Sequence, residues 1–443
     1  MNVSEIEATI RDENVTDIAL QFVDIDGILH SLWIPAELFP RIAEEGIHSD
    51  GSSLSRMVDV SRSDVKLKPD VSTFTVLPED LFPKRVGRVV CDIYEPESDN
   101  PSVLDPRSAL KKAIAGVKEA LGPSIECYAA SEIEFFLLDR DEAGGLRLHD
   151  QARYLASPPA DRAAHLRLEM ADRLRGMGIT VEKHHHEVPH AKSEFNLEYA
   201  HALRMADTIY LVKLLVKMMA DRQGLTASFM PKPFHGEYGA GLHTHLSVID
   251  DAKEENLFSD PEGAHGLSRT ALSFLAGILG HARALAGVTN PSVNSYKRLV
   301  PGWEAPVNIS WARYNRSVLM RIPPGRGRAT RMEYRPTDGS CNFYLAYAAI
   351  LWAGLEGVKR KAEPPDPVEE NIYKMSPDER SARSIEVLPG NLGEALAELR
   401  GDACLREGLG TELFEKFVDL KTREWREFST SVHEWERKKY LDV

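Results

Sequence analysis

YAASEIEFFLLD, residues Tyr128–Asp139, decides the fold of the larger part of this chain. Aromatic and other apolar residues recur through it without Gly or Pro, which favours an extended strand. Strand side chains alternate faces. Ile133, Phe135 and Leu137 therefore point to one side, and Glu132, Glu134 and Phe136 to the other. Two carboxylates in such apolar surroundings repel each other unless a cation lies between them. A divalent metal or an arginine is the usual cation; the alternative from this strand alone is one acid solvated at a sheet edge and the other in a salt bridge.

Groups of the right kind recur elsewhere. His184-His185-His186-Glu187 closes a strand expected at Ile179–His186, and Glu194 follows seven residues after Glu187. LHTHLSV (Leu242–Val248) sets His243 and His245 on one strand face, and RMEYR sets Arg331, Glu333 and Arg335 on another. A histidine run alone is often surface decoration. Several strands carrying carboxylates and imidazoles, with no thiol, point instead to Mg2+ or Mn2+ and away from structural zinc.

The second half of Asn290–Pro336 is dense in arginine: Arg313, Arg316, Arg321, Arg326, Arg328, Arg331 and Arg335, with the acid Glu304 ahead of them and Glu333 between the last two. The whole chain has a formal net charge of -14. Arginines gathered against that charge suggest a local phosphate or carboxylate site, because the guanidinium fork matches both. A nucleic-acid binder usually carries a basic domain, and the acidic balance disfavours DNA or an anionic membrane. There is no GxxxxGK[ST], and Gly239–Gly241 is too short for a dinucleotide fingerprint. A phosphate donor must then be held by metals and arginines.

The 443 residues allow two or three domains. A helix is expected over Met1–Asp12, a hairpin over Ile18–Pro35 around Asp26–Gly27, a polar loop at His48–Ser53, and strands at Ser72–Leu77 and Arg88–Ile93. Pro96–Pro106 reads as a linker, and Asp105–Pro106 opens a helix running through Ala120. Helices at Asp161–Arg175 and Leu203–Arg222 alternate with the strands, and helices dominate from Leu345 onward. The fold class is α+β, with an antiparallel-rich sheet in the larger domain. No signal peptide is visible in MNVSEIEATIRDEN, and Thr270–Val288 and Leu345–Val358 are too interrupted for membrane spans. Cys91, Cys127, Cys341 and Cys404 lack CxxC spacing, which fits reduced thiols in a cytoplasmic protein.

Taken together, the motifs resemble those of the glutamine synthetase family, most closely its shorter bacterial and archaeal form. They are DGSS (Asp50–Ser53), SEIEFFLLD (Ser131–Asp139), HHHEV (His184–Val188), GAGLHTHLS (Gly239–Ser247), NPSVNSYKRLVPGWEAP (Asn290–Pro306), RYNRSVLMRIP (Arg313–Pro323) and RMEYRPTDGSCN (Arg331–Asn342), in that order. The resemblance implies a β-grasp domain at 1–104 and a catalytic domain at 105–443. It also implies a homododecamer of stacked hexameric rings, with Asp50 entering the neighbouring subunit's site. By the same resemblance, Glu134, Glu187 and Glu194 would hold one metal, and Glu132, His243 and Glu333 a second. Glu182, His245, Ser247, Arg316, Arg321 and Arg331 would meet ATP, while Gly239, Arg298, Glu304 and Arg335 would meet glutamate. Asp50, Ser53, Tyr154 and Glu187 would form the ammonium pocket, with Asp50, Glu304 and Arg316 catalytic.

Four residues at three places depart from the family pattern: Ala191-Lys192 replaces a usual Gly-Gln, Tyr238 a usual Asn, and Ala240 a usual Ser. The expected activity is ATP-dependent ligation of glutamate and ammonia to glutamine, in nitrogen metabolism. The departures keep a ligase for a larger amine (methylamine, ethanolamine or a polyamine) as the alternative. A catalytically silent scaffold or regulator is the third reading, against which six filled ligand positions argue.

Overall fold

In the computed structural model, which describes residues 1–54, 61, 63–142, 144–188, 190–303 and 305–443, the strand quoted above is the spine of the larger domain. Two sheets divide the chain. The first contains β1 (Asp17–Val23), β2 (Leu29–Pro35), β3 (Ile47–Asp50), β4 (Asp64–Val76) and β5 (Val86–Tyr94), in the order β2-β1-β5-β4-β3. β1 and β2 form the expected hairpin, and β5 lies parallel to β1. Gly27 in the hairpin turn has φ of 84°, and a Cβ there would sit 3.0 Å from the Asn342 backbone. Turn conformation and close approach to the second domain both demand glycine.

Two local expectations change. His48–Ser53 is a loop only in its second half, because Ile47–Asp50 pairs with β4 and sets Asp50 opposite Asp64. An edge strand needs only one neighbour, so polar side chains do not prevent pairing. β4 starts before Ser72, at Asp64, and passes through Pro69 to a register shift between Asp70 and Thr75. Proline and a bulge within one edge region disguise a strand as a turn.

The segment between the domains is a fixed joint. Asp105 caps the helix Pro106–Leu121 by accepting from the backbone N–H groups of Arg107 and Ser108. Buried Arg107 then donates to Asp70 at 2.8 Å and Asp92 at 2.7 Å in the first domain, and to Asp207 at 2.9 Å in the second.

The second sheet adds β6 (Ile125–Arg140), β7 (Leu146–Leu148), β8 (Val181–His186), β9 (Lys192–Leu197), β10 (Ala200–His201) and β11 (Leu225–Ser228). It continues with β12 (Leu242–Asp250), β13 (Glu255–Asn256), β14 (Asn308–Ala312), β15 (Val318–Arg321), β16 (Met332–Tyr334) and β17 (Glu386–Val387). Its main path is β17-β14-β15-β16-β12-β6-β9-β8, and β6 is flanked antiparallel by β12 and β9. Alternation along β6 holds: Ile133, Phe135 and Leu137 join the main core, while Phe136 and Leu138 pack with Ala240 in a separate cluster. Helices Ala202–Arg222 and Phe343–Arg360 supply much of the main core. No single helix among the described residues is long and apolar enough to cross a membrane; Arg269–Gly280 and Ala282–Thr289 pass only as a pair, bent by 73°. All four cysteines are free.

Candidate active site

Strand register builds the site in two rows. Glu132 on β6 lies opposite His243 on β12, while Glu134 lies opposite Glu194 on β9 and Glu194 opposite His185 on β8. Further across, Glu333 on β16 pairs with His245 on β12 and Arg321 on β15. The two glutamates of β6 thus share a face and enter different clusters.

In the first cluster, His243 Nδ1 lies 2.8 Å from a Glu132 oxygen and 3.6 Å from a Glu333 oxygen. His245 Nε2 lies 3.2 Å from the other Glu132 oxygen. Burial pushes the Glu132 carboxyl up, but hydrogen bonds from His243 and His245 outweigh it and hold the group well below its ordinary range. Fully buried Glu333 accepts from Arg321 and Arg335, each at 2.5 Å. Its burial raises the carboxyl, and Arg335 followed by the two histidines and Arg321 brings it to about 2. Ligand atoms of Glu132, His243 and Glu333 lie within 4.8 Å of one another, and this oxygen-rich donor set fits a hard divalent cation.

Ligand atoms of His185, Glu187 and Glu194 form a second such group. His185 Nδ1 is 3.4 Å from Glu187, and Nε2 is 3.6 Å from Glu194. Burial, then the charge of Glu134, pushes the Glu187 carboxyl to about 7. Glu134 itself accepts from Lys192 Nζ at 2.5 Å and from the Gly241 N–H at 3.0 Å. Its burial raises the carboxyl, but Lys192 dominates the opposing charges and lowers it to about 2. From the sequence, His185 stands only as one member of the run His184–His186, not singled out among the six expected ligands. Its spacing of two from Glu187 was the available signal.

Glu132, Glu134, His185, Glu187, Glu194 and His243 line a cavity of about 450 Å³, together with Tyr154, Lys192, Tyr238, Gly239, Arg298, Arg316 and Arg335. Arg298 donates to the carbonyls of Pro336 at 2.5 Å and Arg335 at 3.3 Å. A Cβ on Gly239 would lie 2.6 Å from the Arg298 side chain, and one on Gly241 would lie 2.5 Å from its guanidinium. The glycine loop is what lets Arg298 pass. Tyr238 packs edge-on against Trp303 at 5.4 Å. A neighbouring cavity of about 460 Å³ is lined by Glu182, His245, Ser247, Arg328 and Arg331, and Glu132 and Lys183 belong to both. Ser247 donates to the Thr330 carbonyl at 3.0 Å.

Arg331 and Arg335 were expected on one strand face with Glu333. β16 covers only Met332–Tyr334, and the two arginines line different cavities. Asp50 and Ser53 do not line the cavity; Ser53 donates to Asp50 at 3.0 Å on the first domain's edge. Glu304 lies outside the described residues.

A family model described as the glutamine synthetase β-grasp domain matches residues 14–96, and one described as the glutamine synthetase catalytic domain matches 103–440. The glutamine synthetase of Thermotoga maritima is 47% identical over 443 residues, covering all of both chains. That of Methanocaldococcus jannaschii is 44% identical, covering 100% of this chain and 98% of its own. Among solved structures, a GmaS/ADP complex superimposes with a TM-score of 0.90 at 32% identity, covering 99% of each chain. A Plasmodium falciparum glutamine synthetase has a TM-score of 0.87 at 24% identity over 99% of each chain, a likeness of fold. With both domain models matched in order and relatives aligned from end to end, the chain belongs to the glutamine synthetase family.

Proposed function

We infer that the protein is a glutamate–ammonia ligase that consumes ATP. The observation carrying this reading is the shared wall between the two cavities: Glu132 borders both the Arg331–Ser247 side and the Arg298–Arg335 side. A phosphate donor in one cavity and an acid in the other would meet there.

A carboxylate is a poor acyl donor until one oxygen carries a good leaving group. Arg316, Arg321 and Arg331 are assigned to the nucleotide's phosphates, with Glu182, His245 and Ser247 at its remaining contacts. Gly239, Arg298 and Arg335 are assigned to glutamate. The γ-carboxylate oxygen then attacks the γ-phosphorus of ATP, ADP leaves, and γ-glutamyl phosphate forms. Divalent cations, for which Mg2+ or Mn2+ suits these donors, supply positive charge against the phosphates. Glu132, His243 and Glu333 would hold one, and the cluster around Glu187 and Glu194 another.

Ammonium must lose a proton before its nitrogen can attack the acyl carbon and expel phosphate. Asp50 of a neighbouring subunit is assigned that proton, with Ser53, Tyr154 and Glu187 around the ammonium. Glu304 is assigned to covering the acyl phosphate against water. This arrangement entails a ring-shaped homo-oligomer, proposed as two stacked hexamers. Free thiols fit a reducing cytoplasm.

A panel of amines, read by phosphate release with glutamate and Mg-ATP, tests the assignment. Ammonia should give the highest kcat/KM. A higher value for methylamine, ethanolamine or a polyamine would overturn the acceptor, and no amine-dependent release would overturn the activity.

A further inference from the structure

An α-amino acid brings an ammonium group into a site, and a buried ammonium needs acceptors. Glu134 and Gly239 line the cavity beside Arg298. Glu134 accepts from the Gly241 N–H at 3.0 Å, and a Cβ on Gly239 or Gly241 would strike the Arg298 side chain, so the four are packed together. Gly239 has no side chain and offers a ligand only its backbone. Both acceptors at this point, the Glu134 carboxylate and the Gly239 carbonyl, already hold a cation. Lys192 Nζ lies 2.5 Å from Glu134 Oε2 and 2.8 Å from the Gly239 oxygen. Lys192 is 4% exposed and Glu134 is 7% exposed, so solvent screens the pair little. Among the described residues, the other carboxylates lining the cavity are Glu132, Glu187, Glu194 and Glu369. The first three belong to the candidate cation clusters, and Glu369 pairs with Arg313 at 3.0 Å. Glutamine, the family's usual residue at Lys192, would leave the Glu134 charge open to a ligand's ammonium.

We propose that Lys192 stands in for the ammonium of an amino-acid substrate, so that the protein also ligates ammonia to five-carbon dicarboxylates lacking the α-amino group, glutarate being the simplest. The inference rests on the proposed ligase chemistry, with Arg298 and Arg335 on the acid, and widens its substrate class. A carboxylate oxygen of glutarate attacks the γ-phosphorus of ATP, and ADP leaves. Ammonium gives up one proton, its nitrogen attacks the acyl carbon, and the C–O bond to phosphate breaks. The departing phosphate takes the electron pair and a second proton, leaving the monoamide of glutarate. Glutamate brings its ammonium against the like charge of Lys192, so its amino group adds nothing to recognition.

Phosphate release with ammonia and Mg-ATP, measured on glutarate and glutamate in turn, tests this in the full-length protein. A site that paired with the α-ammonium would favour glutamate by at least about tenfold, the worth of one charged hydrogen bond. In the wild type, kcat/KM for glutarate should lie no more than about tenfold below that for glutamate, and mass spectrometry should find the monoamide. Lys192→Gln should move the ratio toward glutamate by about tenfold or more. A mere loss of folded enzyme would lower both acids together and leave the ratio alone. A glutamate advantage beyond about tenfold in the wild type would overturn the proposal whether or not the variant folds. So would a ratio that Lys192→Gln leaves unchanged. Release with neither acid would overturn the ligase reading itself, an outcome distinct from either of these.

Discussion

Glu333 is the most constrained acid of the site. It has no exposed surface, accepts from Arg321 and Arg335, and faces His243. Glu333→Gln would leave two largely buried guanidiniums against a neutral amide, at a cost on the order of 3 kcal/mol. Urea denaturation of the variant should show that loss, and phosphate release should fall with it. Ala191 makes a prediction of the opposite sign. Its φ of 54° is left-handed and its N–H is held by Asp150 at 3.0 Å, at a position where the family usually has glycine. Relieving the Cβ clash with Ala191→Gly should stabilise the protein by about 1 kcal/mol, read as a higher urea midpoint.

At the scale of elements, the junction of helices Arg269–Gly280 and Ala282–Thr289 is pinned by His281, whose ring nitrogens lie 2.6 Å from Asp402 and 2.9 Å from Glu356. The bond to Asp402 leads in raising the imidazole above its ordinary 6.5. A raised base contributes its full stabilisation below pH 6.5 and loses it as pH rises through the folded value. Urea midpoints should therefore fall on the alkaline side, with a shallower decline in His281→Gln. Strand β6 was legible because apolar alternation is local. The polar run His48–Asp50 in β3 reads as loop, and β4 is expected only from Ser72, beyond Pro69, although it begins at Asp64. Face-sharing of Glu132 and Glu134 followed from spacing alone. Their division between His243 and Glu194 did not, because register with β12 and β9 is set by pairings far apart in sequence. The Lys192–Glu134 ion pair was hidden for the same reason.

Across the whole molecule, the residues proposed for the reaction form two groups that do not line one cavity within a single chain. Most of the carboxylates, histidines and arginines line the two adjoining cavities, while Asp50 ends the edge strand of the other sheet with Ser53 just beyond it, and neither lines those cavities. The family motifs made the members of both groups legible in the sequence, but only three-dimensional placement shows the separation. If neighbouring subunits complete each site, mixing unfolded Asp50→Asn and Arg316→Ala chains and refolding them together should restore about a quarter of wild-type activity, since random assembly pairs two intact halves that often. Recovery no greater than the sum of the two variants would mean that each chain completes its own site. The central claim is that the glutamate carboxylate itself attacks ATP. Glutamate labelled with oxygen-18 in its γ-carboxylate tests it most directly, by mass spectrometry of the phosphate released as glutamine forms. One labelled oxygen should pass into phosphate with each glutamine made; unlabelled phosphate accompanying glutamine would contradict the account.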